Sequence, residues 1–151
     1  MWLVWSELDL GAVAQHVDRR VAEIAGSKSH DEQLLLLVEV VMWIKAFEEN
    51  FDGPIPCPEM FMGLTHARHK GLHKAVELSQ LPDVYSDRYT AMYGVPVWIE
   101  LPPARTNDRG IPIQKHVDEE QAYREHFLGR TVFGSLEPVV ERMKRATGRD
   151  R

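Results

Sequence analysis

The side chains with the most chemistry to offer lie close together. Residues 60–76 (MFMGLTHARHKGLHKAV) contain no acid, yet hold Arg68, Lys70, Lys74 and three of the seven histidines, His66, His69 and His73. Histidine is the side chain whose unperturbed pKa permits proton transfer near neutral pH, and cationic neighbours favour its neutral, basic form. A guanidinium cannot be deprotonated and presents a fixed positive charge. An arginine beside a histidine suits phosphodiester chemistry: the arginine stabilises charge on the phosphate while the histidine moves a proton.

Other uses of the same residues are open. On a continuous helix, Phe61, Leu64, Leu72 and Ala75 share one side with Arg68 in its middle, and His66, His69, Lys70 and His73 lie opposite. Burying Arg68 unpaired is costly, so it either meets a carboxylate (Glu39 or Glu32 on the preceding helix) or lines a polar cleft or dimer seam. His73 has a plain alternative as a solvent-facing residue beside Lys70 and Glu77. His69 and His73 also stand at the i, i+4 spacing of helical zinc ligands. No Glu follows His69, however, and the third ligand would be the more distant His66, His116 or His126, so no metal and no cofactor is expected.

The elements that must position these groups are mostly helical. Leu10, Val13, Val17, Val21 and Ile24 recur at three- and four-residue steps and predict a helix from Asp9 to Ala25, stopped by Gly26. Ser29 stands three residues before Glu32, a capping-box spacing, ahead of a helix from His30 to Asn50. That helix is apolar around nearly its whole circumference, which predicts a central position or a subunit interface. The segment from Phe51 to Pro58 is a loop by its prolines and glycine. A third helix from Glu59 to Leu81, ending near Pro82, would carry the histidines. An insert rich in proline and aromatic residues follows at about 82–117, in which Tyr93–Leu101 pairs with Gly110–Gln114 as a small edge hairpin. Helices from Asp118 to Leu128 and from Ser135 to Ala146 close the chain. The expected architecture is a single, mainly α domain over residues 1–151: an up-and-down helical bundle with a small β insertion.

Composition narrows the function. The chain has 151 residues and a formal charge of −5, which argues against a general nucleic-acid coat, although the acid-free segment leaves −8 on everything else. The single cysteine, Cys57, forms no internal disulfide and builds no thiolate metal site. The longest apolar run, Leu34–Ile44, is broken by Glu39 and is shorter than a membrane span, and the N-terminus has no basic n-region. A cytoplasmic location without membrane contact is expected. Trp2, Trp5, Trp43 and Trp98 are read as core or dimer-interface aromatics, and the basic residues after Arg142 as complements to a helix C-terminus.

Arg68-His69-Lys70-Gly71-Leu72-His73 matches R-x4-H, with a polar residue directly after the arginine, on a helix that follows a long apolar helix. This resembles the motif of the HEPN superfamily, small α-helical domains of which many are metal-independent ribonucleases. The wider layout is similar to actinobacterial HEPN-like proteins: Ala67–His73, a Tyr/Trp/Pro-rich insert from Tyr85 to Pro103, a helix over Tyr123–Arg130 ending in Gly-Arg, and a last helix over Ser135–Met143. The resemblance implies a homodimer in which Arg and His of both subunits meet in one cleft and act on RNA. Arg68 would contact phosphate, His73 would be the acid/base, and His69 would fill the polar position that is most often Asn. Lys70, Lys74 and His66 would be substrate contacts. Some HEPN domains only bind partners, so the resemblance equally implies an inactive module that binds a protein, in the manner of toxin–antitoxin or phage-defence components. Five residues separate Arg68 from His73, about 140° around an unbroken helix. They can share a site only at a helix end, across a kink near Gly71, or across a dimer axis.

Overall fold

Asp9 and Ser29 start the first two helices of the computed structural model, which describes residues 8–27, 29–55, 58–79 and 95–148. The Asp9 carboxylate accepts the Ala12 N–H at 3.1 Å and caps α1, Leu10–Gly26. Ser29 Oγ accepts the Glu32 N–H at 3.3 Å and caps α2, His30–Asn50. Both helices lie where the periodicity and the capping residues put them. Val13, Val17, Val21 and Ile24 of α1 are buried against α2, whose own buried stripe runs through Leu37, Val40, Val41, Ile44 and Phe47. Leu35, Val38 and Met42, in contrast, are 73%, 38% and 64% exposed, so α2 is not buried all round among the described residues.

The third helix is shorter than expected. α3 spans Pro58–Lys70, and Gly71 breaks it with φ at 95°, a left-handed conformation that a residue with a Cβ rarely adopts. One helical turn, α4 at Leu72–Ala75, leads into strand β1 at Val76–Ser79. Strand β2, Val95–Trp98, pairs antiparallel with β1, Val76 opposite Trp98. The expected hairpin between Tyr93–Leu101 and Gly110–Gln114 is therefore corrected. The partner of β2 lies upstream, in residues whose apolar spacing also fitted a helix, and long-range pairing decided between the two. Residues 105–113 instead close on themselves. Asn107 Oδ1 accepts the N–H groups of Arg109 and Ile111, and the Ile113 N–H donates to the Arg105 carbonyl at 2.9 Å. The part of the insert over 80–94, and Trp2, Trp5 and Cys57, lie outside the described residues.

The last two helices start earlier than expected. α5 spans Gln114–His126, because the Ile113 carbonyl already accepts the N–H groups of His116 and Val117. α6 spans Val132–Ala146, capped by Thr131 Oγ1 on the Gly134 N–H at 3.1 Å. α6 packs on α1, while α3 packs most extensively on α5. A Cβ on Gly63 would come within 2.6 Å of the Phe127 ring, so only glycine allows α3 to lie this close to the end of α5. Trp98 is a core residue: its Nε1–H donates to Ser135 Oγ at 2.7 Å, and its ring meets Tyr123 and Phe127 edge-on. The architecture is thus mainly helical with one small antiparallel strand pair. Among the described residues, no helix is long and apolar enough to cross a membrane.

Candidate functional site

The end of α3 faces two neighbours at once. Residues one apart on a helix point about 100° apart, so Arg68 and His69 turn toward different neighbours. Arg68 is half-buried in a shallow groove against α2, lined by Val41, Ile44, Lys45, Glu48, Phe61, Leu64 and Thr65. It meets no carboxylate among the described residues. Glu39, one of its two expected partners, is held by α1 instead: His16 Nε2 lies at 3.0 Å and Arg20 Nε at 3.3 Å. The hydrogen bond from His16, aided by Arg20, holds the Glu39 carboxyl below the usual carboxylate range. Glu48, which does line the groove, is paired with Lys45 at 3.0 Å.

The histidines on the other side meet α5. His66 is buried with its ring 5.4 Å from that of Tyr123, and its Nε2 has no hydrogen-bond partner among the described residues. Burial, helped by the charge of Lys70, pushes the His66 pKa down, which keeps the ring neutral. Burial likewise pushes Tyr123 up, and its hydroxyl donates to the Ile99 carbonyl at 2.5 Å, which makes it a structural group rather than an acid near neutral pH.

One turn beyond His66, His69 meets His116 and Glu119, which lie one turn apart on the same face of α5. His69 Nδ1 lies 3.5 Å and His116 Nδ1 3.8 Å from Glu119 Oε2, and the two imidazole rings meet edge-on at 5.9 Å. Both contacts are too long for hydrogen bonds. The Glu119 side chain is only 3% exposed, and neither of its oxygens has a hydrogen-bond partner among the described residues. One ligand atom from each of His69, His116 and Glu119 lies within 4.8 Å of the other two. His69 is also held below its ordinary pKa, first by burial and then by Arg68, His116 and Arg105, against the opposing pull of Glu119.

The remaining candidates are distributed around this end of the helix. Lys70 donates from Nζ to the Pro103 carbonyl at 2.7 Å and ties α3 to the segment after β2, and Lys74 is exposed. His73 lies on α4, beyond the Gly71 break; its side chain lies outside what is described. Glu119 is the group that the sequence pattern did not single out. Its signal was the His116-x-x-Glu119 spacing, which sets an imidazole and a carboxylate on one helical face. The chain matches no family model, no curated protein and no solved structure. The chemistry of this helix end therefore carries the functional reading.

Proposed function

We propose that the chain is a HEPN-like ribonuclease that uses Arg68 and His73 on RNA phosphodiesters without a metal in the reaction, at a cleft completed by a second copy. The observation that supports this reading is the state of Arg68: half-buried, without a carboxylate partner among the described residues, three residues before a break at Gly71. The break relieves the restriction of an unbroken helix, on which Arg68 and His73 would stand about 140° apart. In this reading the ribose 2′-hydroxyl attacks the adjacent phosphorus and gives its proton to one His73 imidazole. A protonated imidazole, the partner's His73, donates a proton to the leaving 5′-oxygen, and Arg68 stabilises the charge that builds on the phosphate. Mixed RNA incubated with the protein in EDTA tests it. Wild type cleaves, and His73→Ala and Arg68→Ala lose at least about 100-fold; no cleavage, or equal cleavage by all three, rejects the reading.

A second reading, an inactive HEPN-like module that binds a protein, is favoured by the exposed row Leu35, Val38 and Met42 on α2. These residues fall at i, i+3 and i+7, the spacing of an apolar helix face that docks on another surface. Light scattering separates the cases. A wild-type dimer that Met42→Glu converts to monomer assigns the row to a second copy, and a wild-type monomer leaves it to a different partner and removes the shared cleft.

A further inference from the structure

We infer that His69, His116 and Glu119 form a binding site for one divalent transition-metal ion, zinc in the first instance, that joins the last turn of α3 to α5. The site faces α5, whereas Arg68 faces α2, so the inference stands apart from the ribonuclease reading and goes beyond it.

The carboxylate is the strongest reason. Glu119 sits almost wholly buried, with neither oxygen hydrogen-bonded among the described residues. A carboxylate taken out of water without a partner is destabilising, and proteins keep such groups where they pair with a cation or bind a metal. Its nearest ring nitrogens, His69 Nδ1 at 3.5 Å and His116 Nδ1 at 3.8 Å, approach the same oxygen from two different helices. Tetrahedral zinc with bonds of about 2.0–2.2 Å sets its ligand atoms roughly 3.3–3.6 Å apart. Both separations are close to that range, and the 4.8 Å limit on the whole set can be closed by rotation of the more exposed imidazoles.

The donor set selects the class of ion. Two imidazole nitrogens and one carboxylate oxygen suit zinc and its first-row neighbours, whereas calcium and magnesium want oxygens alone. Three protein ligands leave a fourth position, and the partial exposure of both imidazoles opens that position to water. The scaffold is rigid where it must be, since the contact of Gly63 with Phe127 fixes the spacing of α3 and α5 two turns away. The helical i, i+4 pair His69 and His73 is not the arrangement used here, because Gly71 ends α3 between them and His69 packs on α5.

Calorimetric titration of zinc into the metal-stripped full-length protein tests the site without any reference to RNA. One ion binds per chain, and zinc at 100 times its dissociation constant raises Tm by about 5 °C or more. Cobalt in place of zinc gives the visible d–d absorption of a four-coordinate site. His116→Ala and Glu119→Gln each weaken zinc binding by more than about 100-fold. Glu119→Gln keeps the volume of the side chain, so cooperative melting in EDTA at or above the wild-type Tm shows that the fold is intact, and His126→Ala binds zinc like wild type. Absence of a stoichiometric site in wild type, or binding unchanged in both His116→Ala and Glu119→Gln, overturns the inference.

Discussion

Two glutamates in this molecule face histidines across helix pairs, and their surroundings are opposite. Glu39 lies at the margin of α1 and α2, about one-third exposed, with His16 at 3.0 Å and Arg20 at 3.3 Å. Glu119 lies between α3 and α5, 3% exposed, with two imidazoles at 3.5 and 3.8 Å and no hydrogen bond among the described residues. The first is a partly exposed carboxylate hydrogen-bonded to His16 beside a conventional apolar seam. The second is a buried carboxylate that no hydrogen bond satisfies among the described residues. A fold retains such a group when something else completes it. The α1–α2 side therefore reads as scaffold, and the α3–α5 side carries the candidate metal site.

Substitutions can break that contrast, and the largest effect comes from the scaffold beneath it. Phe127 is fully buried against Trp98, Tyr123 and Gly63, so Phe127→Ala should cost about 3–5 kcal/mol in urea unfolding and loosen α3 from α5. The paired carboxylates give the sharper result, because their signs differ. In EDTA, Glu119→Gln should stabilise the protein by about 1–2 kcal/mol, since it removes a buried carboxylate that no hydrogen bond satisfies among the described residues. Glu39→Gln should destabilise it by less than about 1 kcal/mol, as exposed ion pairs do. Equal effects at the two positions would erase the distinction.

The smallest effect is a difference in pH window. His66 is held below its ordinary 6.5 by burial, so below that pH the unfolded chain binds more protons than the folded one. Its full contribution is present above about pH 6.5 and is lost as pH falls through the folded value. Glu39 is held below 4.5 chiefly by His16, so its contribution persists above about pH 4.5 and is lost as pH falls toward its lower folded value. Melting curves in EDTA between pH 7 and 4 should therefore flatten at the upper end in His66→Gln and at the lower end in Glu39→Gln. An unchanged upper window in His66→Gln would contradict the neutral, buried state of that ring.

Local signals in the sequence located the scaffold well. The α1 and α2 boundaries followed from Asp9, Ser29, Gly26 and a regular apolar spacing, all of which act within one or two turns. The strand β1 was not legible. Val76–Ser79 follow a helical spacing, and the partner that makes them a strand, Val95–Trp98, lies far along the chain. Gly71 was visible as a possible kink, but its positive φ was not. The site was legible by half for a related reason. His66 and His69 stand out in an acid-free segment, whereas Glu119 lies far along the chain, and only packing brings it to them from another helix.

Anomalous diffraction at the zinc edge, from crystals of the full-length protein grown with zinc, tests the central contrast most directly. The account predicts one strong peak about 2.0–2.2 Å from His69 Nδ1, His116 Nδ1 and a Glu119 oxygen, with none beside Glu39. A peak only at other surface histidines, with Glu119 hydrogen-bonded to protein in its buried position, would contradict it.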